Sequence, residues 1–166
     1  SIVIHLKMTG HLLYKDKTNQ DAKEWQDPIN QFIHHRFVFT DGSRIDFSDM
    51  RKFAWVDLCK TTEVEHHRHI EKLGVDALSK DFTVEILKAF LKHSLRKPIG
   101  TLLLEQEKIA GIGNIYRSEA LFRAGILPER FLGKLAQKET ELLHGKIKEV
   151  LREAVKLRGT TDGDFR

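Results

Sequence analysis

Residues 106–116 read Gln-Glu-Lys-Ile-Ala-Gly-Ile-Gly-Asn-Ile-Tyr, and the fold turns on how this stretch is read. Pro98 is placed as a helix start, and Leu102, Leu103 and Ile109 follow it as the apolar residues of a helix. Gly111, Gly113 and Asn114 must interrupt that helix, because glycines and an Asn at this spacing favour tight turns. A second helix is expected from about Ile115 to Ala124, closed by Gly125 as its C-terminal cap. A helix, a double turn and a helix N-terminus at Asn114 gather free backbone N–H groups and the positive end of a macrodipole at one spot, which suits an anion such as a DNA phosphate. The same glycines can serve only the turn between two packed helices, and on pattern alone the two readings stand level.

Toward the C-terminus, the spacing predicts a helix over Ala136 to Leu157, with Leu142, Leu143, Ile147, Val150, Leu151, Ala154 and Val155 on one face and Gly159 ending it. Toward the N-terminus, Phe82, Ile86, Phe90 and Leu91 mark another helical segment, and the composition shifts near residues 74–82. Before that shift the chain reads as β structure. Ile2, Ile4, Leu6 and Met8 share one face of a half-buried strand, and Tyr14 to about Asn30 is a polar loop anchored by Trp25 and Pro28. Residues 36–47 are a hairpin around Asp41-Gly42-Ser43, and a further strand runs from about Phe53 to Cys59. The fold class expected is α+β, a partial antiparallel β-sandwich followed by an all-helical domain. The boundaries are 1–74 for the β domain, 75–95 for a linker and first helix, and 96–166 for the helical domain.

The chain has 166 residues, a formal net charge of +4, 40% hydrophobic residues and one cysteine, Cys59. That excludes an intramolecular disulfide and a Cys-rich zinc site built from this chain alone. The mean hydropathy is −0.38, and no apolar run approaches the roughly 18 residues that would span a bilayer. No signal peptide, GxSxG, HExxH or Walker motif is present, which leaves hydrolase, metalloprotease and P-loop readings unsupported. His34-His35 and His66-His67-Arg68-His69 lack the Cys or carboxylate pattern of a metal site and read as solvated histidines. Both ends look cut: Ser1 leads straight into a strand, and Gly-Asp-Phe-Arg closes no element.

A second signal pairs Met8 with Asp49-Met50-Arg51-Lys52-Phe53. Large apolar side chains on loop tips beside Arg and Lys can enter a duplex and fill the space an extruded base leaves. Periodicity favours the plainer account, with Met8 in the row of Ile2, Ile4 and Leu6 and with Phe53 alternating with Trp55 as core residues.

At these same residues the chain resembles the formamidopyrimidine-DNA glycosylase and endonuclease VIII family. The resemblance rests on HLKMTG (His5 to Gly10), FTDGSRIDFSDMRKFA (Phe39 to Ala54), EQEKIAGIGNIYRSEALFRAGILP (Glu105 to Pro128) and RGTTDGDF (Arg158 to Phe165). The third stretch is similar to the family's helix-two-turns-helix motif. The resemblance implies base-excision repair of oxidised purines such as 8-oxoguanine and formamidopyrimidines, with glycosidic cleavage followed by β,δ-elimination at the abasic site. It implies that Met8, Arg51 and Phe53 fill the void, and that Gly111, Gly113 and Asn114 grip phosphate, with Tyr116 and Lys108 beside them. It implies a monomeric, cytoplasmic, nucleoid-associated bacterial protein whose domains straddle duplex DNA containing oxidised or abasic sites. The family's N-terminal proline nucleophile, the adjacent glutamate and an early lysine have no counterparts here, so no catalytic residue is expected in this chain. No metal or cofactor is expected in it either; the family's four-Cys zinc ribbon belongs to the full-length protein. The family's Asp-Pro-Arg-Arg-Phe-Gly is Asp-Met-Arg-Lys-Phe-Ala here, and Gly163 stands where the lesion-capping loop usually has Lys or Arg. Two other readings stay open: a natural, non-catalytic damage-binding relative, and a helix-two-turns-helix RNA-binding protein, against which the HLKMTG and DMRKFA stretches count.

Overall fold

A computed structural model describes residues 1–20, 23–157 and Gly159; Gly163 and most of the RGTTDGDF stretch lie outside them. The chain divides into two units, Ser1–His67 and Arg68–Arg166.

The first unit holds two antiparallel sheets. Strand β1 (Ile2–His5) pairs with β5 (Trp55–Leu58), and β4 (Arg44–Asp49) lies between β2 (Gly10–Lys15) and β3 (Ile33–Val38). β4 is central and its last four residues are buried. Phe47 is the one buried apolar side chain of this unit among the described residues, and beside it lie Asp46, Ser48 and Asp49. A buried carboxylate needs partners; Arg36 Nε donates to Asp46 at 2.7 Å and Arg44 Nε at 3.2 Å.

Two expectations change here. The first strand ends at His5 rather than continuing to Met8: Lys7 adopts φ 51, and the Gly10 N–H donates to the Leu6 carbonyl at 2.9 Å, closing a tight turn. The segment expected as loop from Tyr14 is strand through Lys15. It then runs through one-turn 3-10 segments at Lys23–Gln26 and Pro28–Gln31, the second capped by Asp27, whose carboxylate accepts from Ile29 N–H.

The second unit contains β6 (Val75–Asp76), α1 (Val84–Lys92), α2 (Ile99–Leu102), β7 (Ile109–Ala110), α3 (Asn114–Ala124) and α4 (Gln137–Lys156). Thr83 caps α1 by accepting from Ile86 N–H, and Gly125 ends α3 at φ 67. Phe82, Leu87, Leu103, Ile109, Leu121, Leu143 and Ile147 are all at most 1% exposed within one core, each contributing about 1.5–3 kcal/mol by leaving water. The long helix expected after Pro98 is only one turn. Ile109 instead sits in β7, parallel to β6, so the helical domain is not wholly helical. Gly74 makes this approach possible: its N–H donates to the Gln106 carbonyl at 2.8 Å, and a Cβ there would lie 2.3 Å from the Lys108 carbonyl. α4 buries Leu143, Ile147, Val150 and Leu151, while Leu142 and Val155, expected on the same face, are exposed.

Candidate nucleic-acid interface

In the first unit two loop tips meet. Met8 is 76% exposed and Phe53 64% exposed, so neither is the core residue that alternation suggests. Alternation fails because each follows a residue in the left-handed region, Lys7 at φ 51 and Lys52 at φ 58. Such conformations cost an L-residue on the order of 1–3 kcal/mol and persist only where surrounding contacts impose them. Arg51 Nη1 reaches Met8 Sδ at 3.7 Å, joining the two tips.

The contacts that impose this shape centre on Asp49, which is 1% exposed. Its Oδ1 accepts from the Thr9 hydroxyl at 2.5 Å and from Arg51 N–H at 3.2 Å, and its Oδ2 accepts from Ala54 N–H at 2.8 Å. The Thr9 hydroxyl holds this carboxyl below the usual carboxylate range, against the opposing effect of burial and with help from the Ala54, Arg51 and Phe53 N–H groups. Asp49 and Thr9 carry no role in the sequence reading. The available signal is an Asp accepting from the N–H two residues on, the usual habit of a turn-forming Asp.

In the second unit the turn expected at residues 111–114 is present. Gly111 has φ 92, and Gly113 stands in extended conformation as the N-cap of α3 without a side-chain cap. Gly111, Gly113 and Asn114 are exposed and Tyr116 is partly buried against the core. No acidic residue occupies the first turn of α3, leaving its dipole uncompensated from within. Gln106, which the sequence reading quotes without a role, spans the turn: its Oε1 accepts from Gly111 N–H at 3.0 Å and its Nε2 donates to the Ile112 carbonyl at 2.7 Å.

The nearby cations differ. Lys108 Nζ lies 3.0 Å from Glu105, and Lys97 pairs with the same carboxylate. These two lysines, Lys97 first, pull Glu105 below the usual glutamate range. Arg123 is held by Glu119, Glu153 and Glu149, which raise its already high affinity for a proton and tie α3 to α4. Arg117 Nη2 donates to the Ser118 hydroxyl at 3.3 Å, and its buried Nε has no hydrogen-bond partner among the described residues.

Among the expected histidine clusters, His67 Nε2 lies 3.3 Å from Asp57 and its ring stacks on Trp55 at 6.1 Å. Among the described residues no three His, Cys, Asp or Glu gather as a metal-holding group, and no helix is long and apolar enough to cross a membrane.

Residues 73–165 match the model of the formamidopyrimidine-DNA glycosylase H2TH domain, and residues 1–56 match that of the formamidopyrimidine-DNA glycosylase N-terminal domain. The chain is 40% identical over 154 residues to the formamidopyrimidine-DNA glycosylase of Bacillus licheniformis, covering 93% of this chain and 55% of that protein. It is 40% identical over 167 residues to that of Pelotomaculum thermopropionicum, covering 99% and 56%. Among solved structures it is similar to Lactococcus lactis Fpg in complex with abasic-site DNA, with a TM-score of 0.82, 32% identity and coverage of 97% of this chain and 56% of that one. It is similar to the same protein in complex with FAPY-dG DNA, with a TM-score of 0.81, 32% identity and coverage of 96% and 56%. The chain thus spans little more than half the length of these relatives.

Proposed function

Because the chain belongs to the formamidopyrimidine-DNA glycosylase family, we propose that its residues supply the damaged-DNA grip of a base-excision-repair glycosylase and abasic-site lyase acting on oxidised purines. The observation that carries the reading is the pair of strained tips that hold Met8 and Phe53 out in water with Arg51 between them. Exposed large apolar side chains cost solvation, and a backbone in the left-handed region costs more; both costs are offset where the side chains stack into the gap left by an extruded base. The open turn at Gly111 and Gly113, with Asn114 at the start of α3, supplies N–H donors for phosphate. Tyr116 supports that turn from the core, and Lys108 contributes charge shared with Glu105.

No residue of this chain matches the family's proline nucleophile or its adjacent glutamate, so the part assigned to it is binding without chemistry. With Cys59 as its one cysteine, the chain's own residues do not fit a four-Cys zinc site. The partner is duplex DNA with oxidised or abasic sites, bound by a monomer.

The test is binding by this chain to duplex bearing a tetrahydrofuran abasic analogue and to intact duplex at matched salt. Tighter binding to the analogue is expected, and Phe53→Ala should remove about 5- to 150-fold of it, the range for loss of one stacked aromatic. Equal binding to both duplexes overturns the reading. So does preference for structured RNA, or a covalent adduct trapped by borohydride on abasic duplex.

A further inference from the structure

The Thr9–Asp49 hydrogen bond at the two tips is one link in a longer chain of polar contacts. His11, in β2 opposite Ser48 of β4, is partly buried. Its Nδ1 donates to the Thr9 carbonyl at 3.0 Å, and its Nε2 lies 2.5 Å from Asn30 Oδ1. Asn30 is 8% exposed and belongs to the 3-10 turn Pro28–Gln31, which Asp27 caps and whose Ile29 carbonyl accepts from the Ser48 hydroxyl at 3.2 Å. On the other side of Thr9, His34 Nε2 donates to the Asp49 carbonyl at 2.8 Å, and Asp49 N–H donates to the Phe32 carbonyl at 3.0 Å. The order is therefore Asn30, His11, Thr9, Asp49, His34.

The geometry points to His11 and Asn30 as positioning residues for the void-filling tips, an inference that rests on the function proposed above. Thr9 follows Met8 directly, and its hydroxyl and carbonyl are both spoken for, the first by Asp49 and the second by His11. Fixing both ends of one residue removes the freedom by which the Met8 tip would relax out of its left-handed entry at Lys7. Nδ1 must carry hydrogen to reach a carbonyl, and a neutral ring then accepts at Nε2 from the Asn30 amide nitrogen once that amide is turned about its Cβ–Cγ bond to exchange oxygen for nitrogen. A buried polar network of this kind is rigid when every member is satisfied and disordering when one is removed. Asn30, in the segment between β2 and β3, thereby acts through His11 and Thr9 on how the tips meet DNA. A small displacement at such a site has a large effect on a contact that requires stacking.

Two substitutions separate the possibilities. His11→Asn keeps a donor near the place of Nδ1, within reach of the Thr9 carbonyl, and gives up the reach to Asn30; His11→Leu removes both contacts at similar bulk. The measured quantity is the ratio of affinities for tetrahydrofuran-containing and intact duplex at matched salt. The thermal midpoint from tryptophan fluorescence checks folding of the unit that holds Trp25 and Trp55. His11→Leu should lower the ratio by about fivefold or more, the weakest cost of one lost stack, with intact-duplex affinity within about twofold of the parent. His11→Asn should fall between the parent and His11→Leu, and a ratio equal to the parent's overturns the role given to Asn30. An unchanged ratio in His11→Leu overturns the inference, as does an equal loss on both duplexes, which marks a merely structural histidine. A His11→Asn variant as poor as His11→Leu removes Thr9 as the link and overturns it too. If the parent chain itself shows no preference, the void-filling reading fails and this inference falls with it.

Discussion

Gly113→Asp is expected to move stability and DNA affinity in opposite directions. Gly113 is the N-cap of α3 at φ −103 and ψ −178, with no side-chain cap, and a Cβ there meets nothing within 4 Å. An Asp fits that conformation without strain and can accept from the free N–H groups of the first turn. Replacing a Gly cap adds a few tenths of a kcal/mol. A carboxylate at a helix N-terminus adds about 0.3–1 kcal/mol. Restricting the unfolded chain adds about 0.4–1 kcal/mol. The sum, about 1–2 kcal/mol, should raise Tm by roughly 5–10 °C for a unit of this size. The same carboxylate occupies the place proposed for a phosphate. Loss of one charge-assisted hydrogen bond, worth about 1.5–3 kcal/mol, lowers duplex affinity about 10- to 150-fold, and like-charge repulsion adds to that. Calorimetry and fluorescence anisotropy on the same preparation read both effects. A stabilised variant that binds duplex within about twofold of the parent would refute the phosphate assignment, and a destabilised one would refute the capping argument.

Three further outcomes are expected. Gly74→Ala places a Cβ 2.3 Å from the Lys108 carbonyl carbon and oxygen and 2.6 Å from the Glu107 oxygen. With backbone rather than a flexible side chain in the way, urea unfolding should show a loss at or above the usual overpacking range of about 1–3 kcal/mol; a change under about 0.5 kcal/mol contradicts the close approach. Leu103→Ala, in the fully buried core of the second unit, should cost about 2–5 kcal/mol in the same assay while leaving tryptophan fluorescence of the first unit unchanged. Asp49 has a lowered pKa in the folded chain, so the stability it contributes is fully present above its unfolded value of about 3.9 and is lost as pH falls through the folded value. Acid titration followed by tryptophan fluorescence should therefore show a transition below about pH 4 that Asp49→Asn weakens; identical curves sink the assignment.

The helices were legible where apolar spacing and punctuation agreed. Gly125 marks the end of α3 because only a left-handed cap suits it, and Leu143, Ile147, Val150 and Leu151 recur at helical spacing. The α2 region was misread because Leu102, Leu103 and Ile109 are all fully buried for different reasons, one in a helical turn, one at its end and one in β7. Burial from several sides leaves no period to read. At the candidate interface, Gly111, Gly113 and Asn114 were legible from residue type. Alternation misassigned Met8 and Phe53 because it presumes a continuous strand, and the two left-handed lysines that break it carry no glycine to announce them. Gln106 and His11 could not be found from local pattern, since Gln106 acts across a folded turn and His11 links Thr9 to Asn30, which only folding brings near, while the turn habit of Asp49 announces its bond to Arg51 N–H but not the one to Thr9, brought near by strand pairing.

The pairing of β6 with β7 changes what counts as the smallest foldable piece of the second unit. Val75 and Asp76 lie more than thirty positions before their partners Ile109 and Ala110, and the Gly74 N–H, Val75 N–H and Ala77 N–H all donate into residues 106–110. A peptide beginning at Pro98 would carry every residue of the helix–turn–helix passage yet leave those carbonyls unanswered and Ile109 uncovered along one side. Such a peptide should be recovered aggregated or partly unfolded, whereas one beginning ahead of Gly74 brings its own closing strand. The short strand is thus a covalently tethered lid on the turn, delivered from a part of the chain that sequence patterning assigns to a connector.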